Sequence, residues 1–197
     1  MKVVFDIGCN NGDSTLHMAR EGATVYAFEP TPELCEAIRW KTALIDSYHL
    51  IQAAVSNFDG KAQFNVAGHL DWGCSSLNEF SNNLKKTWPG RKDFKVTDVI
   101  EVDVIRLDTF IEANGITQID YLHCDAQGSD LLVLEGLGKY ISIVKEGFIE
   151  VSANKKLALY KGTDNTLLSA VDFLTKNGIR WINISPWSQE YNIHFKR

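Results

Sequence analysis

Val4-Phe5-Asp6-Ile7-Gly8-Cys9-Asn10-Asn11-Gly12-Asp13-Ser14-Thr15 is the most informative stretch of the chain. A short apolar run, Val3 to Ile7, ends in a loop carrying two glycines, and Ser14 to Glu21 then reads as a helix. Strand, glycine turn and helix in that order open a βα unit, and glycines there permit positive φ and close approach of a ligand to the backbone. The dinucleotide fingerprint G-x-G-x-x-G, which seats a pyrophosphate at a helix N-terminus, is not met. Position 10 is Asn and position 13 is Asp, and the acids Asp6 and Asp13 lie where a pyrophosphate would need to be.

Those acids suit a phosphate-free nucleoside with a positive charge, of which S-adenosylmethionine is the example. Gly8, Asn10, Asn11 and Gly12 are the expected cradle. Asp6 would attract the amino-acid end, directly or through water, and the free N–H groups at Ser14 and Thr15 would meet its carboxylate. The plainer alternative is a βα turn with Asp6 as a local cap. Glu29-Pro30 closes the next strand, 17 residues past Gly12, where an acid accepts hydrogen bonds from both ribose hydroxyls. Nicotinamide enzymes share that feature. Ala54-Val55-Ser56 ends a further apolar run and is expected along the adenine, with Ala54 and Ser56 in contact.

Strands and helices alternate along the rest of the chain. Thr24–Phe28, Tyr48–Val55, Ile119–Cys124 and Ile143–Val151 read as strands. Helices are expected from Pro32, over Asp108–Asn114 with Gly115 as the stop, over Ser129–Leu137, and after Thr163 or Asp164 as far as Gly178. Ala62, Phe64 and Val66, and again Ile100, Val102 and Val104, alternate with polar residues and suit an antiparallel pair. Arg180–Ile184 and Tyr191–Phe195 flank a turn at Ser185–Ser188 and read as a terminal hairpin. The implied class is α/β: a mostly parallel sheet with helices on both faces and a C-terminal antiparallel hairpin, similar to the class I methyltransferase (Rossmann-like) fold. One domain over residues 1–197 is expected, with a β insertion and loop at about 61–105.

Composition narrows the function classes. The chain has 197 residues, 45% hydrophobic and 23% charged, with a formal net charge of −5. Those values describe a globular domain, and the acidic balance argues against a nucleic-acid partner. No apolar run reaches the roughly 20 residues of a membrane span, and no leader peptide opens the chain, so a cytoplasmic location is expected. The four cysteines, Cys9, Cys35, Cys74 and Cys124, have no zinc-like spacing. One basic stretch, Lys85 to Lys95, brackets Trp88-Pro89-Gly90 and reads as a solvated loop or a substrate-facing lid.

Tyr121 to Asp130 ends the strand expected to carry the chemistry, because catalytic groups in this architecture sit at the carboxyl ends of central strands. Asp125 is expected near the methyl donor, with Gln127 beside it. Ser129 or Asp130 caps the next helix, and His123 is expected to be packed and hydrogen-bonded.

Together these segments resemble the FkbM family of S-adenosylmethionine-dependent methyltransferases. The resemblance rests on residues 4–12, 25–30, Ala54-Val55-Ser56-Asn57 with Gly60, Gly73-Cys74-Ser75-Ser76-Leu77, Leu107-Asp108-Thr109-Phe110 and residues 125–134, in family order over about residues 3–151. It implies O-methylation of a hydroxyl on a sugar, glycan or glycosylated small molecule. The family usually reads D-x-E-G-x-E where this chain has Asp125, Gln127 and Asp130. The chain also starts at its first strand, without the N-terminal helices that often cover the cofactor, which is compatible with a domain cut from a longer protein.

A sugar hydroxyl is a weak acid and needs a base as its oxygen attacks. Asp125 is the first candidate, with Glu150 and His69 as seconds. A divalent cation on Asp125 and Glu150 is the other route. Trp72, Ser75, Ser76 and Trp88 are the expected acceptor contacts. A nucleic-acid methyltransferase, a nicotinamide dehydrogenase and a non-catalytic nucleoside- or glycan-binding domain are the alternatives. The chain lacks an N-P-P-Y or D-P-P-Y run, which counts against the first.

Overall fold

The computed structural model describes residues 1–197. Its main sheet has seven strands: β1 (Val3–Ile7), β2 (Thr24–Phe28), β3 (Tyr48–Ile51), β7 (Tyr121–Cys124), β8 (Glu146–Ser152), β9 (Arg180–Trp187) and β10 (Glu190–Lys196). They lie in the order β3-β2-β1-β7-β8-β10-β9. The first five run parallel, and β10 is antiparallel to both β8 and β9. A second sheet holds β4 (Ala54–Ser56), β6 (Asp98–Arg106) and β5 (Gly60–Val66), with β5 antiparallel to β6 and β4 parallel to it. This is the class I methyltransferase fold.

Strand alternation divides the core in two. Val4, Val25 and Ala27 pack with Leu16 and Ala19 of α1 (Asp13–Arg20) and Ile38 of α2 (Pro32–Thr42). Phe5, Ile7 and Phe28 face the opposite way. They join a larger cluster with α4 (Leu107–Asn114), α5 (Asp130–Gly136) and α6 (Leu167–Lys176). Helices therefore cover both faces, as a parallel sheet requires. A short helix, α3 (Leu84–Thr87), sits in the loop between β5 and β6.

Some expected elements are redrawn. Tyr48–Val55 is two strands, because the chain leaves the main sheet after Ile51 and Ala54 pairs with Val104 instead. Ala53, Ala54 and Val55 are apolar because they wall a pocket. Helix α6 starts at Thr166, whose hydroxyl oxygen accepts from Ser169 N at 3.4 Å, rather than at Thr163 or Asp164. The hairpin turns at Ser188, which takes φ 58°, and the segment 185–187 remains strand. The antiparallel β5–β6 pair, the Gly115 helix stop (φ 61°) and the terminal hairpin are as expected.

No helix is long and apolar enough to cross a membrane. All four cysteines are unpaired, and burial pushes the Cys9 and Cys124 thiols well up, which keeps them from acting as nucleophiles.

Candidate active site

The strand order reverses between β1 and β7, and a pocket opens at their carboxyl ends, the place where open α/β sheets take ligands. Its floor comes from Ile7, Gly8 and Asn10, one wall from Phe28, Glu29 and Pro30, and the opposite wall from Asp125, Ala126 and Gln127. Ala53–Val55, Phe64, Trp72, Gly73, Ser75 and Leu77 of the second sheet and its loop close the rest.

The turn after β1 is held tightly. Gly8 N and Cys9 N both donate to Phe28 O at 3.0 Å. Asp125 N donates to Ile7 O at 3.0 Å, which brings the loops after β1 and β7 together. A Cβ on Gly8, at φ +71°, would lie 2.1 Å from the Asp125 carbonyl oxygen, a backbone atom that cannot swing aside. Gly8→Ala is therefore expected to cost at least about 2 kcal/mol in denaturant unfolding, from left-handed strain plus displacement of β7. A variant as stable as the parent would show that the two loops are not in this contact.

Glu29 is 5% exposed, and its carboxylate spans the loop: Oε2 accepts from Asn10 N at 3.0 Å and Oε1 from Thr31 N at 2.8 Å. Burial pushes its carboxyl up to about 7, although these backbone donors hold it down in part. Each oxygen keeps a lone pair for a further donor.

Asp125 stands across the pocket. Gln127 Nε2 donates to its Oδ1 at 2.5 Å, and the Tyr160 hydroxyl lies 2.8 Å from Gln127 Oε1. Burial raises the Asp125 carboxyl above the ordinary aspartate range, aided by the negative charge of Asp6 and opposed by Gln127 and His123. Glu150 is pushed up to about 9 by burial and by Asp125, Glu190 and Asp130. Glu190, at the start of β10, is pushed up to about 7 by burial and Asp125. Asn10 (φ 50°) and Gln127 (φ 46°) are two of the three non-glycine residues with positive φ, and both line the pocket. Such strain collects where a site needs a particular backbone shape.

Among the expected donor-site residues, Gly8, Asn10, Glu29, Pro30, Ala54, Asp125 and Gln127 line the pocket, and so do Trp72 and Ser75. Asp6 does not. It is fully buried under the turn, accepting from the Thr15 hydroxyl at 2.5 Å and pairing with His123 Nδ1 at 2.9 Å. On β1 it shares a face with Val4, whereas the pocket meets Ile7. His123 is held above its ordinary value: burial opposes its charge, but the Asp6 hydrogen bond and the charges of Asp6 and Asp125 outweigh that. Ser14 and Asn11 are exposed outside the pocket, and Gly12 is buried off its lining, where a Cβ would come within 3.0 Å of the Tyr48 hydroxyl. Ser56 is buried against α5, where its carbonyl meets Gly136.

Acceptor-side expectations divide in the same way. Ser76 is buried, and its hydroxyl ties the loop to Gln127 O at 2.7 Å. Trp88 is 7% exposed and packs with Leu159 and Tyr160, so the basic loop is docked by its tryptophan. His69 is exposed and lies off the pocket. Glu150 does not line it either, and a carboxyl that stays protonated to about 9 is not a base at neutral pH. The cation expectation does not fit: nowhere do three His, Cys, Asp or Glu side chains converge as a metal site, and an amide N–H already occupies Asp125 Oδ1. Tyr160, hydrogen-bonded to Gln127, and Glu190, which feels the Asp125 charge, neighbour the pocket without lining it, and the sequence reading named neither.

Residues 6–178 match the family model described as methyltransferase FkbM domain. The chain belongs to this family. The chain is 29% identical to the 2-O-methyltransferase NoeI of Sinorhizobium fredii over 167 residues, which cover 81% of this chain and 66% of the relative, just under two thirds of its length. Among solved structures it is similar to the fibrillarin of Aeropyrum pernix bound to S-adenosyl-L-methionine (TM-score 0.55, 9% identity, 98% of this chain and 65% of that one). It is also similar to an rRNA methylase of Streptococcus thermophilus (TM-score 0.53, 13% identity, 100% of this chain and 87% of that one). At these identities the likeness is one of fold.

Proposed function

We propose that the chain transfers the methyl group of S-adenosylmethionine to a hydroxyl of a sugar or glycan, with Asp125 as the base. The pocket's chemistry supports that donor. Glu29 offers two carboxylate oxygens to a ribose diol, and the apolar surfaces of Ala54, Val55, Phe64 and Leu77 suit a flat base. The polar wall formed by Asp125 and Gln127 suits a cationic sulfur. The donor supplies a carbon already activated by its sulfonium. The protein's part is to align the acceptor oxygen with that carbon and take its proton.

The observation that carries the acceptor class is the half-buried Asp125 carboxyl at the pocket wall, raised above the ordinary aspartate range and so suited to take a proton from a weakly acidic group. The relative named as a 2-O-methyltransferase favours oxygen over nitrogen as the acceptor. Trp72 and Ser75, at the pocket's edge, supply an aromatic face and a hydroxyl of the kind sugars use. A nucleic-acid acceptor finds less support, because the chain carries −5 and its basic loop is partly neutralised by Asp71 and Asp93 on Arg91. The test is incubation with labelled S-adenosylmethionine and a panel of oligosaccharides and RNAs. Label in a saccharide is expected. Label in RNA alone, or calorimetry with no heat from S-adenosylmethionine or S-adenosylhomocysteine, overturns the proposal.

A further inference from the structure

Tyr160 is 3% exposed, and its hydroxyl lies 2.8 Å from two acceptors, Cys74 O and Gln127 Oε1. A phenol has one hydrogen, so it donates to one of them at a time and leaves the other short. The amide of Gln127 faces the same choice. With Nε2 toward Asp125, the carboxylate is satisfied and Oε1 takes the Tyr160 hydrogen, leaving Cys74 O unpaired. With the amide turned end for end, Nε2 donates to Tyr160 Oη, Tyr160 donates to Cys74 O, and Oε1 faces Asp125. Two oxygens then meet, and the contact is favourable only if Asp125 carries a proton to donate. Each protonation state of Asp125 thus has its own hydrogen-bond pattern.

We infer that Gln127 and Tyr160 form a proton-responsive pair behind Asp125: as the carboxylate takes the acceptor's proton, the amide turns over and the tyrosine hydrogen moves from Gln127 to the Cys74 carbonyl. This rests on the reading of Asp125 as the base. The balance is simple. The acceptor O–H breaks, its oxygen gains the methyl, the sulfonium becomes a thioether, and the hydrogen resides on Asp125 until solvent removes it. Both residues are positioning residues in this account, acting through Asp125.

The surroundings allow a turn of the amide and little else. The Gln127 backbone is pinned at φ 46°, with its carbonyl accepting from Ser76 Oγ at 2.7 Å. The Tyr160 ring is fixed by stacking on Phe80 (5.5 Å, 15°) and lies where a Cβ on Gly128 would come within 2.7 Å of it. The ionisable groups acting on Asp125 are Asp6 from β1 and His123 from β7. Asp130 from α5, Glu150 from β8 and Glu190 from β10 each feel its charge in turn. Gln127 is the neutral donor among them, and it lowers the Asp125 carboxyl against the effect of burial.

The pair predicts opposite effects from two substitutions. Gln127→Met removes the donor that favours the carboxylate and moves the Asp125 titration up. Tyr160→Phe keeps the ring but removes two bonds from the protonated pattern and one from the ionised pattern, so it moves the titration down. Each change is expected to be about 0.5 pH units or more. The measurement is carbon NMR of the free protein labelled at the aspartate side-chain carboxyl, with Asp125 assigned by the signal lost in Asp125→Asn. Loss of packing alone gives no reason for opposite signs. Titrations that stay put, or move the same way, overturn the inference. If Gln127→Met does not fold, Tyr160→Phe decides alone, and no downward movement refutes the pair. Opposite shifts combined with full turnover in Asp125→Asn would leave the pair standing and remove the base assignment.

Discussion

Asp125→Asn is expected to lower methyl transfer to the labelled acceptor by roughly 10²- to 10⁴-fold, the range that loss of a general base produces. Binding of S-adenosylhomocysteine, whose sulfur is neutral, should stay within about threefold, because no full charge pair is lost in that complex. The substitution is nearly isosteric. Its Oδ1 still accepts from Gln127 Nε2, so the Tyr160–Gln127 chain keeps a partner. It also removes one negative charge from a wall where Asp125 helps raise both Glu150 and Glu190. The protein should therefore melt no lower than its parent. A large rate loss with unchanged product affinity separates the chemical step from binding. Full turnover would place the base elsewhere, and neither His69, which is exposed, nor Glu150, protonated to about 9, is an adequate substitute.

The parts of this site that could be read from the chain are those set by local rules. Gly8 and Glu29 follow from the ends of two neighbouring strands, and β1 pairs with β2 in register, so Ile7 meets Phe28 and the two loops must adjoin. Asp6 lies off the pocket lining for an equally local reason. A strand alternates, and Asp6 has the parity of Val4, which points into the α1–α2 side of the core. Its partner His123 lies opposite it in the β1–β7 register, 117 residues away, and nothing local advertises that pairing. Glu190 comes within reach of the Asp125 charge only because β10 inserts between β8 and β9, which sets Asn192 against Glu150. Tyr160 sits in an irregular segment with no periodicity to mark it, and only packing against Phe80 and Gly128 gives it a task. Trp88 shows the reverse: its basic flanks suggested a lid, and burial against Leu159 and Tyr160 makes it an anchor.

Glu29→Gln is expected to weaken S-adenosylhomocysteine binding by roughly 10²-fold, since two hydrogen bonds to a charged acceptor are at stake. An amide cannot stand in for this carboxylate. Both oxygens already accept from backbone N–H groups, Thr31 at 2.8 Å and Asn10 at 3.0 Å, so one of those donors would face the new NH₂. The glycine turn after β1 would lose an anchor along with the ribose contact. Proton linkage gives a second signature. In the free protein burial pushes Glu29 up to about 7, and ribose hydroxyls donating to it favour the ionised form, so the complex holds fewer protons than the free protein. Affinity should then fall as pH drops below about 7, by up to tenfold per unit, and level off above it. Calorimetry from pH 5.5 to 8.5 reads this directly, and the apparent heat should vary with the ionisation enthalpy of the buffer because a proton is released. Glu29→Gln should flatten the profile and abolish the buffer dependence, which also controls for the nucleoside's own amine. A parent protein whose affinity is constant across that range would remove Glu29 from the ribose site.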